Sequence, residues 1–258
     1  MDKLTKQIAI TSLSFLLLVL WYFIFKISCI SMIIPLIISF VLFKISYEYA
    51  NAKKICFANC YFKQNSFFYK ILTKKIIILT LSILNGIILS LILTLNITTF
   101  NMIDFIVLLM DTILIIYLYN YFIENKSLNN NLKDPIVKNS VSFINSIIIA
   151  IVFLIINLNQ TPPKYIQNDL NETVHKSSNQ IYSTCKAIDS VTRLTNEIVA
   201  IKWWIMLKMS NNSNNQYYIK EILWIIYLFG NYLMIFAFSR YILEILSLLK
   251  KEFEYDRE

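Results

Sequence analysis

Ile147-Ile148-Ile149-Ala150-Ile151-Val152 lies inside a longer apolar run, Val141 to Leu158, and the reading of that run decides the fold. The run is apolar on every face. A strand of an outer-membrane barrel would alternate apolar and polar residues, so this is a helix with no wet side. Crossing roughly 30 Å of hydrocarbon takes about 20 helical residues, because every backbone N–H must be satisfied within the segment. Further windows of this kind are Ile8 to Phe25, Ile30 to Tyr47, Ile76 to Leu95, Met102 to Ile123 and Ile222 to Leu246. The expected fold class is all-α, a polytopic membrane protein with about six transmembrane helices.

The first two windows are separated only by Lys26 to Cys29. One continuous helix over both would be about 60 Å long, twice the membrane thickness. A tight helical hairpin over 1–47 is the better reading, with Lys26 snorkelling to the interface and Pro35 near the start of the second helix. No small-residue cleavage site follows the first window, so it reads as retained rather than as a signal peptide. The other expected units are a cytoplasmic basic loop at 48–75, a three-helix membrane segment at 76–158, an extracytoplasmic loop at 159–220, and the last helix with its tail at 221–258.

Lysine and arginine set the expected orientation. Lys3 and Lys6 precede the first helix, and Lys44, Lys53, Lys54, Lys63, Lys70, Lys74 and Lys75 follow or end the second. Lys126, Lys133 and Lys138 follow the fourth, and Lys250, Lys251 and Arg257 follow the sixth. All four groups fall on one side, which predicts both termini in the cytoplasm and a bacterial inner membrane as the location. The net charge of +8 sits beside helix ends, which suits anionic lipid and excludes nucleic acid as a partner. Isoleucine, lysine, asparagine, phenylalanine and tyrosine dominate while glycine is scarce, as a base-biased genome would produce. The cysteines suggest no disulfide framework: Cys29 reads as membranous, Cys56 and Cys60 as cytoplasmic, and Cys185 as alone outside. A membrane-impermeant thiol reagent is then expected to label Cys185 and spare Cys56 and Cys60.

Two loops carry the soluble mass. In 48–75, Tyr49, Ile55, Cys56, Phe57, Tyr61 and Phe62 form an aromatic stripe among lysines, the pattern of a helix lying on a membrane surface or docking a partner. In the outer loop, Thr161-Pro162-Pro163 stops the fifth helix, and a polar helical pattern runs from about Tyr165 to Met209. Its apolar positions, Ile181 and Ile188 among them, recur at spacings of three and four. The pattern fits one long helix, or a hairpin broken near Ser177-Ser178-Asn179, with its stripe packed on the membrane domain, a second copy or another protein. Trp203 and Trp204 mark the segment Ile198 to Met209 as an in-plane helix at the interface, with a re-entrant plug as the alternative, and residues Ser210 to Asn215 read as a flexible link. Asn171-Glu172-Thr173 is a glycosylation acceptor, and Asp169 two residues before it resembles the extended acceptor of bacterial periplasmic oligosaccharyltransferases.

Catalytic chemistry finds no foothold. His175 is the only histidine and has no metal-ligand spacing to a cysteine or carboxylate, and Cys56-x-x-x-Cys60 has no second pair. With Gly86 and Gly230 the only glycines, no phosphate loop can be built. The chain reads as a non-enzyme with no catalytic, cofactor or metal residues. The candidate residues are instead polar groups in the membrane. Asp104 and Asp111 lie two turns apart on one face of the fourth helix. Asp104 falls at the outer interface, whereas Asp111 lies about 13 Å in from the helix start near Met102, where an ionised carboxylate costs at least about 2.5 kcal/mol. Asn85 is its expected neutral partner, and Arg240 and Glu244 are expected to pair one turn apart. A proton or ion relay through Asp111 and a structural contact that fixes helix packing are both open.

The order of parts is similar to the permease half of some ABC exporters, with a basic inner loop after the second helix and a helical outer loop between the fifth and sixth. That likeness implies that Tyr49 to Lys75 touches an ATPase; the very short first turn departs from it. The leading expectation is a subunit or scaffold of a larger membrane assembly, bound to other membrane or periplasmic proteins or to itself. The rivals are a transport permease, driven by a cytoplasmic ATPase or proton-linked through Asp111, and a pore-forming effector. Lack of Gly-x-x-x-Gly and of Gly/Pro-broken helices favours the first.

Overall fold

The computed structural model describes residues 3–64, 66–124, 134–211 and 217–255. Lys126, Lys133 and Arg257, and the linker residues 212–216, lie outside them. Helices α1 (Lys3–Ile24), α2 (Ile33–Tyr61), α3 (Phe67–Thr73), α4 (Lys75–Ile97), α5 (Met102–Glu124), α6 (Asp134–Asn159), α7 (Leu170–Ser178), α8 (Lys186–Asn211) and α9 (Tyr217–Tyr255) follow one another, with no strand among the described residues. Six of them, α1, α2, α4, α5, α6 and α9, are long and apolar enough to cross a membrane. Outward-facing Leu16, Phe23, Leu36, Phe40, Ile88 and Ile113 form the apolar belt that a bilayer covers.

The central helix is α9. Its span is 67% buried, against 33–39% for the other five. Leu18, Trp21, Ile38, Leu42, Leu108, Val141, Ile235 and Phe238 meet in one core around it. The most extensive pairings are α2 with α4 and α6 with α9. In the first pair, Ser82, Gly86 and Ser90 make a small-residue face on α4. A Cβ on Gly86 would stand 2.8 Å from the Cα and N of Phe43, so the backbones touch there. Ser90 donates to the Pro35 carbonyl at 2.6 Å across the same contact. A single glycine flanked by serines thus makes the close helix contact, so glycine scarcity is no argument against close helix packing.

The first turn is the expected hairpin, closed by a 3-10 turn at Cys29–Met32 that Ser28 caps, and Pro35 sits in the first turn of α2, where a missing N–H costs nothing. The cysteine reading needs correction. Cys29 and Cys185 form a disulfide across 156 residues of sequence, so Cys29 is not a lone membrane thiol and Cys185 is not free. Spacing gave no hint, because the pairing joins two turns that only the folded bundle brings together. Hydrogen bonds reinforce it: Ser183 Oγ donates to the Phe25 carbonyl (2.7 Å), and Thr184 Oγ1 to that of Ile27 (2.8 Å).

The segment between the fifth and sixth spans is a helical hairpin, α7 and α8, broken at 179–185. Asp169 caps α7 by accepting from Glu172 N, and Ser177 and Asn196 tie the two helices through each other's carbonyls. Ser183 N–H and Arg193 hold the Asp189 carboxyl at the start of α8 below the usual carboxylate range. Ile198 to Met209 is the second half of α8 and not a separate helix. At the other end of the bundle, α2 runs on to Tyr61 as a helix about 44 Å long. Residues 48–61 therefore project as a continuation of the span, and α3 folds back on it, with Tyr69 donating to Asn59 Oδ1 at 3.0 Å.

Candidate functional site

A column of polar side chains runs through the interior, most of it on one face of α6. Lys138, Ser142, Asn145 and Ser146 recur at spacings of four, seven and eight, and all four are fully buried. The column has three levels. At mid-depth, Asn145 Nδ2 donates to Asp111 Oδ1 and to Ser239 Oγ, both at 2.8 Å. All three residues are fully buried, and Asp111 Oδ2 and Asn145 Oδ1 have no partner among the described residues. The serines return their hydroxyls to the preceding turn of their own helices, Ser239 to Ile235 and Ser142 to Lys138, so neither leaves a buried donor unspent.

About 10 Å toward the lysine-rich end, the column becomes ionic. Lys138 Nζ lies 3.0 Å from Glu244 Oε2, 3.2 Å from Glu48 Oε2 and 3.3 Å from Asp134 Oδ2, and Lys44 Nζ lies 3.1 Å from Glu244 Oε1. Between the two levels, the Arg240 guanidinium donates to Ser46 Oγ (3.3 Å) and Asn139 Oδ1 (3.2 Å) and stacks over Phe236 at 4.9 Å. Two expected pairings are therefore corrected. Asn85 donates to Ser46 Oγ at 3.0 Å and binds the α2–α4 seam; the residue beside Asp111 is Asn145. Glu244 takes Lys138 and Lys44 as its ion-pair partners, because α2 and α6 bring lysines to it while Arg240 turns to Ser46 and Asn139.

About 10 Å the other way, Asp104 caps α5: its carboxylate accepts from Asn101 N (3.0 Å), and Asn101 Oδ1 accepts from Asp104 N (3.0 Å). Asp104 also lines a cavity of about 360 Å³ between the bundle and the α7–α8 cap, with Asn157, Gln160, Tyr165, Lys202 and Asn231. Burial lowers the Lys202 ammonium below its ordinary range and pushes the Tyr165 phenol up to about 12, so that phenol stays a neutral donor. Leu108, Ile149 and Ile235, one turn from Asp111, Asn145 and Ser239 on their helices, are all buried, and by helix register they separate this cavity from the mid-depth cluster.

The remaining candidate residues divide clearly. Ile181, Cys185 and Ile188 belong to the buried core, so the stripe of these helices packs inside the chain at its start, whereas Val191, Leu194 and Ile198 are exposed. Trp203 lines the cavity, and Trp204 Nε1 donates to the Asn168 carbonyl. Tyr49 lies beside Arg240 (5.6 Å), while Phe57 and Tyr61 are exposed and stack at 4.8 Å, and Phe62 sits 6.0 Å from Phe68. Asn171 lies in the first turn of α7, and the Thr173 hydroxyl of its triplet is buried against Asp169 and Gln167 rather than offered on a loop. Among the described residues no cluster of three or more histidine, cysteine and acidic side chains could hold a metal. The chain matches no protein-family model, no curated protein and no solved structure.

Proposed function

We propose that this chain is a proton-linked membrane transport protein in which Asp111 carries the proton. The observation that carries the reading is the buried Asp111–Asn145–Ser239 contact, set between a polar cavity at one end and an ionic network at the other. Ionisable groups inside a membrane domain are expensive and mark ion or proton paths. Charge counting singles out Asp111. Lys44, Lys138 and Arg240 supply three positive charges, and Glu48, Asp134 and Glu244 supply three negative ones. Between the ionic end and mid-depth, Asp111 is the charge left over, and a proton is what neutralises it. The Asn145 amide serves either state, as a donor to the carboxylate or, turned over, as an acceptor from the acid.

In this reading the lysine-rich end faces the cytoplasm of a bacterial inner membrane. Two features support that: the lysine excess of the end itself, and a disulfide at the opposite end, since disulfides persist in oxidising compartments. The test uses liposomes loaded with a pH dye and a potassium diffusion potential. Wild type is expected to carry protons inward, and Asp111→Asn to stop them while melting at the wild-type temperature. Wild-type liposomes no leakier than empty ones, or undiminished flux in Asp111→Asn, would defeat the proposal.

A second reading, a subunit of a larger assembly with a partner such as an ATPase at the lysine-rich end, is favoured by one feature. Phe57, Tyr61, Phe67 and Phe68 are exposed where α2 overruns the bilayer. It expects a stable partner to co-purify with wild type and to be lost on Phe57→Ser/Tyr61→Ser.

A further inference from the structure

The two buried, unpartnered side-chain atoms lining the cavity under the α7–α8 cap are both donors. Lys202, half-buried on α8, lines the cavity with no ion pair and no hydrogen-bond acceptor among the described residues. It lies along the bare backbone of α9: a Cβ on Gly230 would stand 3.0 Å from its Nζ and 3.2 Å from its Cε. Gln160 Nε2 and Asn231 Nδ2 are buried and have no acceptor. Two of the neighbouring acceptors are already engaged. Gln160 Oε1 receives Asn101 Nδ2 at 3.2 Å, and Asp104 Oδ2 receives Asn101 N. Two buried amide donors left idle are costly, and an acceptor in the cavity they line with the Lys202 ammonium would satisfy them.

We propose that this cavity binds a small molecule bearing an oxyanion, a carboxylate or phosphate, through the Lys202 ammonium and the side-chain amides of Gln160 and Asn231. Its volume of about 360 Å³ is that of a small-molecule site. The cap forms one wall of it: α8 supplies Lys202, Val199 and Trp203, and the Cys29–Cys185 disulfide pins the turn between α7 and α8 to the bundle. Gly230 has a role here that helix packing alone does not give it, since a side chain there would displace the ammonium. Binding itself stands independently of proton transport; naming the oxyanion as cargo rests on the transport reading.

The experiment titrates the purified full chain in mild detergent with succinate and, separately, with inorganic phosphate, by calorimetry. Native mass spectrometry of the same preparations reads retained phosphatidylglycerol. Saturable binding of either soluble anion, weakened at least tenfold by Lys202→Gln, is the expected result. Retention of the lipid by wild type and its loss in Lys202→Gln would instead assign the oxyanion to a headgroup. Where Lys202→Gln lowers the melting temperature, Asn231→Leu serves as the second variant and is expected to weaken the same ligand. Equal responses of wild type and both variants, or no saturable response to any of the three probes, would overturn the proposal. Intact binding alongside absent proton flux would sink the transport reading alone.

Discussion

Breaking the Cys29–Cys185 disulfide tests both the cap and the orientation of the chain. The bond closes a loop with a sequence separation of 156. For a loop that long the chain-entropy relation gives about 17 cal/mol/K, or about 5 kcal/mol at 25 °C. That is a ceiling, because helices left in a micelle or bilayer on unfolding keep much of the loop ordered. A loss of about 2–3 kcal/mol is the expectation, which lowers the melting temperature by roughly 5–10 °C for a chain of this length. The cap should stay docked at low temperature, since Ser183 and Thr184 still donate to the carbonyls of Phe25 and Ile27. The assay is thermal unfolding of wild type, of wild type with reductant, and of Cys29→Ser/Cys185→Ser. The last two should coincide. Thiol labelling supplies the second readout: an impermeant maleimide on intact cells labels no cysteine until an impermeant reductant is added, after which Cys185 reacts and Cys56 and Cys60 do not. Free thiols at Cys29 and Cys185 in untreated protein, or a double variant that melts with wild type, would refute the reasoning. Prior labelling of Cys56 would reverse the orientation.

Gly86→Ala places a methyl against the backbone of Phe43, which cannot yield, so the best-packed pair of spans must part at a cost of about 1–3 kcal/mol. Gly230→Ala meets only the end of Lys202, so its melting temperature should hold while oxyanion binding changes; equal losses for both variants would contradict the contacts described. Lys138→Met leaves Glu244, buried on α9, with Lys44 alone, and should cost about 3–5 kcal/mol. Lys138→Met/Glu244→Leu should recover a large part of that in the same unfolding assay, and full additivity of the two changes would show that they do not interact.

The membrane architecture was legible because it is written in composition. Runs such as Ile76 to Leu95 and Met102 to Ile123 have one structural solution in lipid, and the structure places helices over all six windows. Turn positions were legible for the same reason: Lys26 to Cys29 is too short for anything but a hairpin, and Thr161-Pro162-Pro163 lies just beyond the end of α6. The outer helices were half legible. Spacings of three and four marked the stripe containing Ile181 and Ile188, but they do not say which surface it meets: Ile181 and Ile188 meet the chain's own bundle, and Val191, Leu194 and Ile198 stay exposed.

The site was less legible because its contacts join helices far apart in sequence. Asp111 stood out as a lone carboxylate, and cost alone identified it. Its partner did not stand out, since Asn145 and Ser239 are unremarkable in a chain rich in asparagine and serine. The signal was present in α6, where Lys138, Ser142, Asn145 and Ser146 form one polar face in a helix that is otherwise apolar. Read as the first residues after a cytoplasmic loop, Lys138 counted only toward orientation. Its position at zero exposure among Glu48, Asp134 and Glu244 gives it another role. A lysine that merely marked the cytoplasmic side would snorkel to water, as long basic side chains near span ends do. This one turns inward and gathers three carboxylates instead. Buried there, it leaves the column from the ionic end to mid-depth charge-balanced except at Asp111. Lys138 therefore belongs to the site as well as to the topology.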